Sequence, residues 1–213
     1  MNKFEWQLQV DALSESRVFA QILALKLGAG DVVELRGELG VGKTALAREL
    51  IRAVAVDPDL EVPSPTYAIE QIYDLARYPV HHYDFYRLDS PDDANQLGID
   101  DAVAQALVLI EWPERADLRG IEHCVRIDIT ENESAGPTGR LIKIKAAGPL
   151  GDRMARARSI WEFVGEWART NNVAIGDVQL QYLQGDASAR SYARVRTLER
   201  HALPPLLLMD SPR

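Results

Sequence analysis

Gly37-Glu38-Leu39-Gly40-Val41-Gly42-Lys43-Thr44 has the pattern G-x-x-x-x-G-K-[ST] of a phosphate-binding loop. Its flanks decide how it is read. The run Asp31-Val32-Val33-Glu34-Leu35 before it has the β-branched content of a strand, while Leu46, Ala47, Leu50, Ile51 and Val54 after it recur at helical spacing. A strand, a glycine loop and a helix in that order turn successive backbone N–H groups inward around phosphate oxygens, and the helix start adds the positive end of its dipole. Lys43 supplies a mobile charge for the β- and γ-phosphates, and the Thr44 hydroxyl is the expected direct ligand of Mg²⁺. The implied ligand is a nucleoside triphosphate, cradled by Gly37, Glu38, Leu39, Gly40, Val41, Gly42, Lys43, Thr44 and Ala45.

Composition bounds the rest. A chain of 213 residues, 46% hydrophobic and 26% charged, can bury a substantial core and has the balance of a globular protein. It contains no apolar run long enough to cross a bilayer, and its start, MNKFEWQLQV, alternates like a strand and lacks a signal peptide's apolar stretch, so a cytoplasmic location is expected. Cys124 is the only cysteine, which excludes an internal disulfide and a cysteine-rich zinc site. The net charge of −8 argues against DNA or RNA held by this chain alone, because such binding releases counterions from a basic surface. Any link to RNA is expected to run through a partner.

Along the chain, Phe4, Trp6, Leu8 and Val10 alternate with polar residues as in a half-buried strand. Ser14 is placed to cap a helix carrying Phe19, Leu23 and Leu27 inward and ending near Gly28 to Gly30. Beyond the loop and its helix, Pro63 and Pro65 break the chain, and residues 67–73 and 80–86 read as two strands joined by a polar turn. Residues 92–106 are helical in composition, interrupted at Gly98. Ala106-Leu107-Val108-Leu109-Ile110 is continuously apolar, as a central strand buried on both faces should be. Further strands near 124–130 and 140–146 complete an α/β fold with a mixed central sheet flanked by helices.

Two acids are candidates for the chemistry. Glu111 directly follows the buried apolar strand, at the carboxyl end of the sheet, where α/β proteins bind their ligands. Asp84 lies in VHHYDFYRL, where a period of two puts His82, Asp84 and Tyr86 on one face and His81, Tyr83 and Phe85 on the other. Spacing alone also allows Asp84 to be a partner of Arg87 and Glu111 to be a charge that ends a strand. The adjacent His81 and His82 face opposite ways, which speaks against a two-histidine metal site.

GELGVGKT at Gly37 to Thr44, SPTY at Ser64 to Tyr67, HYDFYRL at His82 to Leu88, LGI at Leu97 to Ile99 and IEWPER at Ile110 to Arg115 occur in the order and spacing of the TsaE family, which this chain resembles from about Ser14 to Ala146. That family provides the ATPase of the bacterial machinery that makes threonylcarbamoyladenosine in tRNA. The resemblance implies a Mg²⁺-dependent, partner-dependent ATPase of the P-loop NTPase fold. It implies that Lys43 and Thr44 serve phosphate and Mg²⁺, that Thr66 lies in a nucleotide-sensing loop, and that Asp84 and Glu111 complete the magnesium and water environment. Trp112 follows Glu111 as in the family, either in contact with the nucleotide or covering apolar surface beside it. The implied partners are TsaB and TsaD, with tRNA reached only indirectly. A small-molecule P-loop kinase, with Arg115 and Arg119 as lid arginines, and a nucleotide-gated scaffold are the alternatives. No N-K-x-D motif points to guanine.

Gly148-Pro149-Leu150-Gly151 reads as a break, dividing residues 1–148 from residues 149–213. Past it, residues 152–170 carry Ile160, Phe163, Val164 and Trp167 on one expected helical stripe, with Arg153, Arg156, Arg158 and Arg169 read as a solvated face. VQLQYLQGDASARSYARV and LLLMDSPR resemble the start of aminoglycoside phosphotransferase-like sugar kinases, with a small-residue loop at 185–188, a partial β N-lobe that lacks the rest of such an enzyme. On this reading the tail is dispensable for ATP turnover and, with Leu203, Leu206, Leu207 and Leu208 uncovered, is mobile or pairs with another copy through its unpaired strand edges.

Overall fold

The computed structural model describes residues 3–118, 120–121, 124–183, 191–201 and 203–210. Arg119 and the 185–188 loop lie outside the described residues. Five strands form the heart of a seven-stranded sheet: β2 (Val32–Arg36), β4 (Val80–Asp84), β5 (Leu107–Glu111), β6 (Cys124–Glu131) and β7 (Arg140–Ala147). β1 (Lys3–Val10) and β3 (Glu70–Tyr73) form its edges, in the order β1-β7-β6-β2-β5-β4-β3. The central pairs β6–β2, β2–β5 and β5–β4 are parallel and the outer pairs antiparallel, so the expected mixed sheet is present.

Parallel strands need helical crossovers, and helices cover both faces. α1 (Leu13–Ala24) and α2 (Lys43–Ala55) pack on one face, whose core includes Phe19, Leu23, Leu35, Leu50, Leu109 and Ile127. The short α3 (Ile99–Gln105) covers the other face, over Val32, Tyr83, Phe85, Val108 and Ile110. β5 is buried along its whole length because each face meets a helix layer. No helix among the described residues is long and apolar enough to cross a membrane.

Local departures from the sequence reading have identifiable causes. Ser14 does not cap α1: the N-cap is Ala12, and the Glu15 carboxylate instead accepts the Asp11 N–H at 2.8 Å. Ser14 packs on Gly176, where an added Cβ would lie 2.3 Å from its Oγ. The strand expected over 67–73 begins only at Glu70, because Ile69 sits at φ +67° in a turn closed by its N–H to the Pro65 carbonyl at 2.7 Å. The strand expected to reach Tyr86 stops at Asp84, whose carboxylate accepts the Tyr86 N–H at 3.0 Å and starts the 3-10 turn Phe85–Arg87.

The tail differs most. Gly148 to Gly151 is no break but the first turn of α4 (Gly148–Thr170), with Pro149 where a missing N–H costs nothing. Its buried stripe is Leu150, Met154, Ala157, Ile160, Val164 and Ala168, while Phe163 is 46% exposed. That stripe joins the core of β1 and α1, where Trp6, Phe19 and Trp161 form successive edge-to-face pairs at 5.6 and 6.3 Å. Arg153 is not solvated: it grips Asp31 through two bonds of 2.8 and 2.5 Å and also donates to the Lys26 carbonyl. β8 (Val178–Leu183), β9 (Ser191–Thr197) and β10 (Leu206–Asp210) form an antiparallel sheet in the order β10-β9-β8. It is tied to α1 by the Gln21 side chain accepting the Leu180 N–H, and to the segment just past that helix by a Lys26–Asp210 ion pair. Leu203, Leu206 and Leu208 pack against the common core and Leu207 stays exposed, so the tail is docked rather than mobile.

Candidate functional site

The glycine loop joins β2 to α2 with backbone that other residues rarely adopt: Gly37, Gly40 and Gly42 have φ of +139°, +79° and +112°. Gly37 also passes so close to β6 that a Cβ there would lie 2.3 Å from the Ile129 carbonyl oxygen. Arg140, on β7, braces the loop from outside by donating to the Val41 carbonyl at 2.7 Å. Nothing in the glycine pattern points to that arginine, which is 99 residues away in sequence.

Lys43 folds back over the loop, donating to the carbonyls of Gly37 and Glu38 at 2.8 and 2.9 Å, with its Nζ 3.7 Å from the centre of the Trp112 ring. Burial holds this ammonium below the usual lysine range, opposed by the carboxylates of Glu111, Glu114, Asp84 and Glu38. Trp112 packs on Tyr86 at 5.1 Å, and the Arg115 guanidinium lies 5.0 Å from the Tyr86 ring. Arg115 is therefore occupied at the rim by aromatic contacts.

Strand register sets the acids. Asp84 is the direct neighbour of Glu111 across β4 and β5, so two buried carboxylates stand side by side at the carboxyl ends of parallel strands. Like charges directly opposite each other destabilise a sheet, and a cation between or beside them offsets that cost. Glu111 Oε2 accepts the Thr44 hydroxyl at 2.8 Å, and its Oε1 is 2.9 Å from His82 Nε2. Asp84 Oδ2 accepts the hydroxyls of Ser64 and Thr66 at 3.1 and 2.9 Å. Asp84 is thus no partner of Arg87, which lies over the Tyr67 ring at 4.3 Å. Ile69, a β-branched residue in left-handed backbone, stores about 1–3 kcal/mol of strain in the turn that carries Thr66 to Asp84.

These groups line one cavity of about 300 Å³ bounded by Leu39, Gly40, Gly42 to Ala45, Ser64, Thr66, Tyr86 and Trp112, besides the two acids. The sequence-based set of Lys43, Thr44, Thr66, Asp84, Glu111 and Trp112 is brought together there; Gly37, Glu38 and Val41 frame it through the loop backbone. Ser64, Tyr86 and His82 were not foreseen in these roles. The donors are hard oxygens, which fit Mg²⁺. Among the described residues no group of three or more His, Cys, Asp and Glu is placed to hold a metal alone. No arginine lines the cavity among the described residues.

Fold and site together define a P-loop nucleotide-binding protein. The crystal structure of Bacillus subtilus YdiB shares that fold, with a TM-score of 0.56 at 21% identity over 76% of this chain and 97% of that one. The family model "Threonylcarbamoyl adenosine biosynthesis protein TsaE" matches residues 10–141, and this chain belongs to the TsaE family. Relatives named tRNA threonylcarbamoyladenosine biosynthesis protein TsaE include one from Rickettsia prowazekii, 37% identical over 49% of this chain and 72% of its own length. Those from Haemophilus influenzae and Streptomyces coelicolor are 35% and 33% identical over 66% of this chain, covering 87% and 95% of their lengths.

Proposed function

We propose that this chain hydrolyses ATP with Mg²⁺ in the cytoplasm, in the service of tRNA threonylcarbamoyladenosine biosynthesis. The observation that carries the reading is the convergence of Lys43, Thr44, Asp84 and Glu111 on one cavity against the glycine loop. The loop amides bind the phosphates, and Lys43 swings from the Gly37 and Glu38 carbonyls to the β- and γ-oxygens. Thr44, Glu111 and Asp84 would hold Mg²⁺, which when bound supplies charge neutralisation to the transferring phosphoryl group. One of the two carboxylates would also orient the attacking water. Ser64 and Thr66 hold Asp84 in place and make the 64–69 turn responsive to the nucleotide.

Partners of the TsaB–TsaD kind, with tRNA reached only through them, fit a cavity that no arginine lines among the described residues. The same feature, with Lys43 turned onto its own loop, favours a second reading in which nucleotide gates assembly and turnover is slow. Phosphate release from ATP, GTP and candidate acceptors, with and without TsaB and TsaD, decides: ATP turnover raised by the partners supports the first reading, and transfer to a small acceptor would make the chain a kinase. The division into residues 1–148 as the ATPase unit and 149–213 as linker helix and phosphotransferase-like start is favoured by the separate antiparallel β8–β10 sheet, although α4, β8 and β9 all share the core of the first part.

A further inference from the structure

His82 is fully buried and points to the same side of the sheet as Asp84. Its register partner on β5 is Leu109, so its ring reaches diagonally to Glu111, two residues further along the same face. The contact is specific: Nε2 lies 2.9 Å from Glu111 Oε1, while Nδ1 is buried with no hydrogen-bond partner among the described residues. Two tautomers of the ring can be weighed against this geometry. With the proton on Nδ1, the Nε2 lone pair would face a carboxylate oxygen and an N–H would be buried without an acceptor. With the proton on Nε2, the ring donates to the carboxylate and leaves the unpartnered position as a lone pair.

We propose that His82 is a positioning residue for the reaction, donating from Nε2 to Glu111 Oε1 and so keeping Oε2 on the Thr44 hydroxyl. The inference rests on the nucleotide-hydrolysis reading of the site and adds to it the group that orients the acid. A carboxylate attached through three rotatable bonds, at a strand end beside a second carboxylate, has other ways to turn; two donors on its two oxygens fix its plane. Thr44 is one of those donors and a would-be Mg²⁺ ligand, so the chain His82–Glu111–Thr44 sets the direction of the hydroxyl lone pairs toward the ion. Partners of this kind behind a ligand commonly change metal affinity or activity by about 10–100-fold when removed.

Two variants and one spectrum test it. His82→Leu removes the donor at similar bulk, and His82→Gln restores an N–H the same number of bonds from Cα as Nε2. Calorimetric nucleotide affinity in EDTA is expected to match the parent in both, because the loop amides are untouched. The extra affinity conferred by Mg²⁺, and kcat measured with the partners, should fall at least about tenfold in His82→Leu and return to within about threefold in His82→Gln, with KM little changed. Long-range ¹H–¹⁵N spectra of the parent, with the His82 signal identified by its loss in His82→Gln, should show the Nε2–H tautomer. A folded His82→Leu with parental Mg²⁺ enhancement and kcat would overturn the proposal. So would a folded His82→Gln as impaired as His82→Leu, or an Nδ1–H tautomer, which remains readable if His82→Leu does not fold. If the parent releases no phosphate under any condition, the hydrolysis reading fails while the tautomer and Mg²⁺-affinity measurements still judge His82.

Discussion

Gly37 and Gly40 both occupy backbone that disfavours a side chain, yet alanine should cost very different amounts at the two positions. At Gly40, φ is +79° and an added Cβ would meet nothing within 4 Å, so Gly40→Ala carries only the conformational penalty, about 1–2 kcal/mol. At Gly37, φ is +139°, and the Cβ would lie 2.3 Å from the Ile129 carbonyl oxygen and 3.0 Å from Val41 Cγ1. The obstructing atom belongs to β6, which is hydrogen-bonded in register to β2 over Val32 to Arg36 and cannot yield without breaking that pairing. Overpacking of this kind adds about 1–3 kcal/mol, for a total of roughly 2–5 kcal/mol. At about 2–4 °C per kcal/mol for a chain of this size, Gly37→Ala should lower Tm by roughly 5–20 °C, against a few degrees for Gly40→Ala. Urea denaturation and thermal scans on the two variants measure the difference. Equal losses would mean that β6 does not press on the loop and that the loop's shape rests on local conformation alone.

Lys43→Ala and Thr44→Ala are expected to abolish phosphate release with little loss of stability, and parental turnover in either, with partners present, would refute the phosphate-loop roles. Asp84→Asn and Glu111→Gln should retain nucleotide binding by calorimetry while hydrolysis falls by about 10²–10⁴-fold; near-normal turnover removes that residue from the chemistry. Arg153→Ala leaves buried Asp31 without its guanidinium and should cost about 1–3 kcal/mol, whereas Arg158→Ala breaks only an exposed pair with Glu162 and should stay within about 0.5 kcal/mol, both read from urea melts. Removing residues 149–213 uncovers Trp6, Phe19 and the α1 face beneath Met154, Ala157 and Ile160, so the truncated chain should melt well below the parent or aggregate. Clipping near Gly148 with unchanged melting and ATP turnover would restore the view that the tail is dispensable.

Much of the architecture was legible because its cues are local. The loop glycines, the helical spacing of Leu46, Leu50 and Ile51 and the apolar run before Glu111 each report on backbone within a few residues. Spacing alone offers Asp84 and Glu111 as two separate acids, and only the family resemblance puts them at one magnesium; their adjacency follows from β4 pairing with β5, which no local pattern encodes. The tail was misread because Gly148 and Pro149 signal a turn in isolation, yet the same two residues suit a helix start when an apolar surface waits for the stripe that follows. Phe163 looked like core by hydrophobicity, but the register that buries Ile160 and Val164 turns it outward. Arg140 and Arg153 act on residues about 100 or more positions away, beyond the reach of any pattern read along the chain.

The pairing of β1 with β7 has a consequence for synthesis on the ribosome. Val10 lies opposite Arg140 and Lys3 opposite Ala147, so β1 must wait for a partner made roughly 130 residues later. At about 5–20 residues per second that delay is on the order of ten seconds, during which Phe4, Trp6, Leu8 and Val10 form an alternating strand with nothing to lie against. The β2–β5–β4 core and the nucleotide loop can assemble in the meantime, since all their strands precede residue 112. The nascent chain should therefore grip nucleotide before its sheet is closed, and in that interval β1 is the strand most in need of a chaperone.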